Sequence, residues 1–126
     1  MKDLLERNAE ELNRLKSKID ETFKKRDDSK HARDEWSNAC TEFYERYDGL
    51  AFPGGLETVD EKIITGDKIT IDTAITFLEC RPYFFRSGYI YKKLMRRLKQ
   101  APLQGNDKEC FDAFMIKYRE YKNKKG

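Results

Sequence analysis

The chain has 126 residues, of which 39% are charged and 13% aromatic, and its formal net charge is +3. A length of this order suits one domain that buries a core without metals or disulfides, and the aromatic content argues against intrinsic disorder despite the charge. Cys40, Cys80 and Cys110 form an odd, widely spaced set, which argues against a disulfide framework and for a reducing, cytoplasmic setting.

The charge is unevenly placed. Residues 1–60 carry 11 Lys+Arg against 15 Asp+Glu, a net −4, whereas residues 61–126 carry 15 against 8, a net +7. Residues 81–126 alone carry 13 against 4, a net +9. Such asymmetry marks a binding patch or tail. Met1–Glu11 is charged and helix-like, so no secretory signal is expected, and no apolar run approaches the ~18 residues of a bilayer span.

The first segment, to about Tyr47, holds no Pro or Gly and is rich in Leu, Glu, Lys, Arg and Ala, which predicts helix. Asp3, with Glu6 three residues on, suits a capped start. Leu5, Leu12 and Ile19 recur every seven residues, with Leu15 and Phe23 on the same face. The same frame crosses Arg26, Ser29 and Arg33 and resumes at Trp36, Cys40, Phe43, Tyr47 and Leu50. One helix of about 65–70 Å fits this pattern. So does a hairpin turning within Asp27–His31, with Asp28 or Ser29 capping its second helix. The polar gap and the small size of the chain favour the hairpin. The unbroken heptad phase favours the long helix, and the heptads also admit a homodimer through residues 5–47.

Asp48-Gly49 is the expected end of that segment, and Pro53-Gly54-Gly55 the clearest loop. A short helix is predicted over Leu56–Thr65, ended by Gly66. The next runs from Thr70 or Ile71 to Cys80 with Ala74, Ile75 and Leu78 inward; the alternation at Ile69 and Ile71 lacks a partner strand. Arg81-Pro82 breaks it ahead of Tyr83-Phe84-Phe85. A helix from Ser87 or Gly88 to Gln100 follows, closed by Pro102. Beyond the Gln104-Gly105-Asn106 loop, Asp107 is the expected cap of a last helix, Lys108–Lys122, with Phe111, Phe114, Met115 and Tyr118 inward. Residues 123–126 read as a frayed basic tail. The expected fold is one all-α domain over residues 1–126, a small bundle of five or six helices. In it a hairpin or long helix (1–48) packs on a helical bundle (56–126) with a basic outer face.

The functional signal is concentrated near the end of that bundle. At about 100° per residue, Ile90, Leu94 and Leu98 share one side of their helix, with Tyr91 and Met95 beside them. Lys92, Arg96 and Lys99 lie opposite, flanked by Lys93 and Arg97, and no acidic residue occurs from Pro82 to Gly105. With Arg86, these six residues are the expected partner-binding surface. An acidic protein is the expected partner, and nucleic acid the alternative, held by the same stripe and the C-terminal lysines. The plainer reading is a solvated face whose last-turn charges suit the helix dipole. Tyr83, Phe84, Phe85, Tyr89 and Tyr91 interleave with Arg81 and Arg86; they read as core filling, or less simply as stacking platforms for bases.

Catalysis and metal binding find no support. The single histidine, His31, lies in the most polar stretch, and no paired Cys or His spacing occurs among His31, Cys40, Cys80 and Cys110. Gly54-Gly55 lacks the Lys-Ser/Thr sequel of a phosphate loop. No cofactor, metal or enzymatic activity is expected, and no membrane partner.

Overall fold

A computed structural model describes residues 1–125. Helices take up 81% of the described residues, among which there is no strand. They are α1 (Lys2–Lys25), α2 (Lys30–Ala51), α3 (Val59–Thr65), α4 (Lys68–Cys80), α5 (Ser87–Gln100) and α6 (Gly105–Lys125). The expected small all-α bundle is the fold.

The N-terminal segment is a hairpin, and the polar gap is its turn. Ser29 is extended (φ −165°) and its Oγ accepts the amide of Ala32 at 3.0 Å, which starts α2. Arg33 reaches back across the turn to Asp27, 2.6 Å away. Leu5, Ala9, Leu12 and Leu15 of α1 are buried, as are Ala39, Phe43 and Ala51 of α2. Between Leu15 and Ala39 no side chain is fully buried, so the tip of the hairpin runs past the core. Phe23 there is 46% exposed, with the Arg26 guanidinium 3.6 Å from its ring centre. The heptad positions that would seam a dimer largely pack within the chain.

Several boundaries differ from expectation. Met1, not Asp3, occupies the N-cap of α1, without a side-chain cap. Gly49 does not stop α2, because burial of Ala51 and Phe52 carries the helix on until the Phe52 amide closes on the Asp48 carbonyl at 3.4 Å. Asp48 then braces the loop, accepting the Leu56 amide at 3.0 Å. Helix α3 begins at Val59, later than expected, and ends at Gly66 in the left-handed conformation (φ 88°). Asp67 caps α4 through the Thr70 amide at 3.1 Å, so this helix starts earlier than expected. Helix α6 starts at Gly105, which places Asp107 inside its first turn rather than at its cap. Residues 123–125 continue the helix instead of fraying, and Gly126 lies outside the described residues.

One apolar cluster joins all six helices, through Leu5, Phe43, Ile63, Phe77, Leu94 and Met115 among others. Phe77, fully buried, stands between the rings of Phe52 and Phe84, each 6.2 Å away. Burying a large side chain of this kind contributes about 1.5–3 kcal/mol. Helix α5 crosses this cluster with Ile90, Tyr91, Leu94, Met95 and Leu98 inward, which fixes its opposite face toward solvent.

Candidate interaction surface

The connector between α4 and α5 sets the site. Arg81 and Arg86, at its two ends, are the two non-glycine residues with positive φ, 47° and 66°. Left-handed backbone costs an ordinary residue about 1–2 kcal/mol, so packing must hold both. Between them the chain runs without regular structure to Tyr83 and then turns over Phe84–Ser87. Pro82 and Phe84 turn in; Tyr83 and Phe85 turn out, 85% and 45% exposed.

The hairpin grips both outward residues by their carbonyls. Asn13 of α1 donates to the Tyr83 carbonyl at 2.9 Å, and the Tyr47 hydroxyl of α2 donates to that of Phe85 at 2.6 Å. Burial raises the Tyr47 pKa against the opposing pull of Arg86, which keeps this donor protonated. Phe84 and Ser87 close the connector reciprocally: the Phe84 amide donates to Ser87 Oγ at 3.1 Å, and the Ser87 amide to the Phe84 carbonyl at 3.0 Å. The Arg86 carbonyl then accepts from Tyr89 and Ile90, starting α5.

The six predicted cations divide into two groups. Lys93 and Arg97 are half-buried and face Asp60 of α3, at 3.4 and 3.3 Å. Arg97 Nε and Asp60 Oδ1 are close without hydrogen-bond alignment, so this is an ion contact rather than a bidentate clamp. Lys92, Arg96 and Lys99 are exposed and make no salt bridge among the described residues. Arg86 is exposed and lies over the Phe85 ring, 5.3 Å from its centre. Tyr89, 67% exposed, precedes Lys92 by one turn, so Tyr89, Lys92, Arg96 and Lys99 form one outward row.

Two concavities adjoin α5. Before its first turn, Phe43, Tyr44, Tyr47, Phe85 and Arg86 line a recess of about 190 Å³. Phe43 and Phe85 meet edge to face with ring centres 6.0 Å apart, as do Phe43 and Tyr44. At the far end, Lys99 shares a groove of about 560 Å³ with Lys108 and Arg119, over Leu98, Phe111 and Met115. Lys108 is paired there with Asp112 at 3.1 Å.

Core filling accounts for only part of the aromatic run. Phe84 and Tyr91 are buried, while Tyr83, Phe85 and Tyr89 are not. Tyr44 is not among the expected site residues; its one signal in the sequence is its position just outside the heptad frame of Phe43 and Tyr47. Asp60 lies more than thirty residues from its two basic partners and has no local signal. Among the described residues no group of His, Cys, Asp or Glu could hold a metal ion, and no helix is long and apolar enough to cross a membrane. His31 pairs with Glu35, at 2.7 Å on the surface of α2.

The fold and this surface define a small all-α protein with a one-sided basic face and an aromatic recess at its edge. Compared with protein-family models, curated protein sequences and solved structures, the chain finds no match.

Proposed function

We propose that the chain is a non-enzymatic interaction module that binds an acidic protein surface through the outer face of α5. The observation that carries this reading is the contrast along one helix. Lys93 and Arg97 have an acidic partner within the chain, whereas Lys92, Arg96 and Lys99 have none among the described residues and stand in one exposed row. Arg86, exposed at the N-cap of the same helix, adds a further cation. Exposed like charges repel one another, and an acidic surface docked on them relieves that repulsion and steers encounter. The three free cysteines fit a cytoplasmic setting for such a module.

Nucleic acid is the second reading, favoured by the exposed rings of Tyr83, Phe85 and Tyr89 beside Arg86. Affinity capture from host lysate separates the two, using wild type and a Lys92→Glu/Arg96→Glu/Lys99→Glu variant, each with and without nuclease. Acidic proteins retained by wild type after nuclease, and lost by the variant, support the proposal. Identical recoveries on both baits, or capture that disappears with nuclease, contradict it.

A further inference from the structure

We infer that the recess formed by Phe43, Tyr44, Tyr47, Phe85 and Arg86 is an anchor site for one aromatic side chain of an acidic peptide segment. The flanking carboxylates of that segment lie along Arg86, Lys92, Arg96 and Lys99. This inference rests on the proposed reading of α5 and adds the specificity element that a bare charge stripe lacks.

Three observations carry it. The first is size: about 190 Å³ falls well below the roughly 300–1,000 Å³ of small-molecule sites and suits a single side chain. The second is chemistry. Phe43, Tyr44 and Phe85 already meet edge to face, and an inserted ring continues that packing, with the Arg86 guanidinium at the mouth to cover its face. Tyr44 remains 76% exposed and Phe85 45% exposed, so the walls are rings not yet covered by the chain itself.

The third is charge and continuity. Arg86 lines the recess and is the N-cap of α5, so the recess adjoins the start of the helix that carries Lys92 and Arg96. Of the other charges near the recess, Lys16 lies 5.8 Å from the Phe85 ring centre and is already paired with Asp20 at 2.8 Å. Asp48, one turn beyond Tyr44, is turned to the loop amide of Leu56. Arg86 is the one charged residue that lines the recess, and its charge favours an acidic over a basic segment. The walls are also held in place: Phe85 is fixed through its carbonyl by Tyr47, so the site is largely pre-formed and less ordering is lost on binding.

The test is selection of a random dodecapeptide display library on the wild-type protein. Selected peptides are then measured by fluorescence anisotropy against wild type, Phe85→Ala, Tyr44→Ala and the Lys92→Glu/Arg96→Glu/Lys99→Glu variant. Circular dichroism confirms that each variant folds, as expected for side chains this exposed. The expected consensus is one aromatic residue flanked by Asp or Glu. Phe85→Ala and Tyr44→Ala each weaken binding about tenfold. Replacing the peptide's ring by Ala weakens binding to wild type by a similar factor but costs little further on Phe85→Ala, the signature of direct coupling.

An acidic consensus without a ring, or a ring uncoupled from Phe85, overturns the anchor and leaves the charge reading intact. A consensus without acidic residues, or no consensus at all, overturns both. Oligo-dT that binds wild type and is weakened by Phe85→Ala assigns the recess to bases and also overturns the inference.

Discussion

The hydroxyl of Tyr47 on α2 donates to the carbonyl of Phe85, 2.6 Å away in the α4–α5 connector. This contact ties the hairpin to the start of the basic helix. Tyr47→Phe removes it while keeping the ring that packs on Phe43 and Phe84. The expected loss of stability is about 0.5–1.5 kcal/mol, the net worth of an ordinary hydrogen bond. Chemical denaturation checks the figure. Binding of a ring-bearing acidic peptide weakens as well, because one wall of the recess loosens; unchanged affinity would show that the wall is held by packing alone.

Phe77 is one of the two largest fully buried side chains of the core, the other being Phe52, and it lies between the rings of Phe52 and Phe84. Phe77→Ala is expected to cost about 3–5 kcal/mol. Exposed Tyr83→Ala, six residues away, stays within about 0.5 kcal/mol. Paired urea melts compare the two. A small effect at Phe77 would mean that the connector and the hairpin do not share one core.

Much of this was legible in the sequence. Helix periodicity placed Ile90, Leu94 and Leu98 inward and Lys92, Arg96 and Lys99 outward, and both sides are where the pattern put them. The polar gap at Arg26, Ser29 and Arg33 became the hairpin turn, capped by Ser29 as one of the two expected residues. Long-range pairings were not legible. The Asp60 contacts to Lys93 and Arg97 depend on how α3 packs on α5, which no local spacing encodes. The exposure of Tyr83 and Phe85 follows from a connector that turns over Phe84–Ser87 and carries an arginine in left-handed backbone at each end, a conformation their sequence does not announce. Gly49 misled for the converse reason: burial of Ala51 and Phe52 outweighed a local stop signal.

Asp60 offers a way to change the basic face without touching it. Asp60→Asn releases Lys93 and Arg97 from their internal partner. The three side chains are partly exposed, 35%, 20% and 31% in that order, so screening keeps the stability cost below about 1 kcal/mol. Affinity for an acidic peptide stays equal or rises, since two further cations become available. Titration calorimetry checks this; weaker binding with an unchanged fold would mean that Asp60 orients the face rather than diverting charge from it.

Lys68 bridges two carboxylates across α4 and α6, at 2.9 Å from both Asp72 and Asp107. Burial, followed by the hydrogen bond to Asp72, raises the Asp107 pKa, whereas the hydrogen bond to Asp107 leads the lowering at Asp72. The raised group contributes stability below its unfolded pKa that is lost as pH rises through its folded pKa. The lowered group contributes stability above its unfolded pKa that is lost as pH falls through its folded pKa, so the two oppose each other. Lys68→Met leaves the carboxylates facing each other without a cation. It is expected to destabilise more at about pH 7 than at about pH 4, because the carboxylate pair is more fully ionised at the higher pH and its repulsion then lacks the cation. Thermal melts at the two pH values decide it, and an equal loss at both would show that the triad is too solvated to matter.

Amide NMR of the labelled protein at low salt decides whether the outer face of α5 receives acidic partners. The probes are a short poly-glutamate peptide and, separately, oligo-dT. Poly-glutamate is expected to shift the amides around Arg86, Tyr89, Lys92, Arg96 and Lys99, and the Lys92→Glu/Arg96→Glu/Lys99→Glu variant is expected to lose the response. Shifts spread evenly over surface lysines such as Lys24 and Lys30, or a response at α5 to oligo-dT alone, would contradict it.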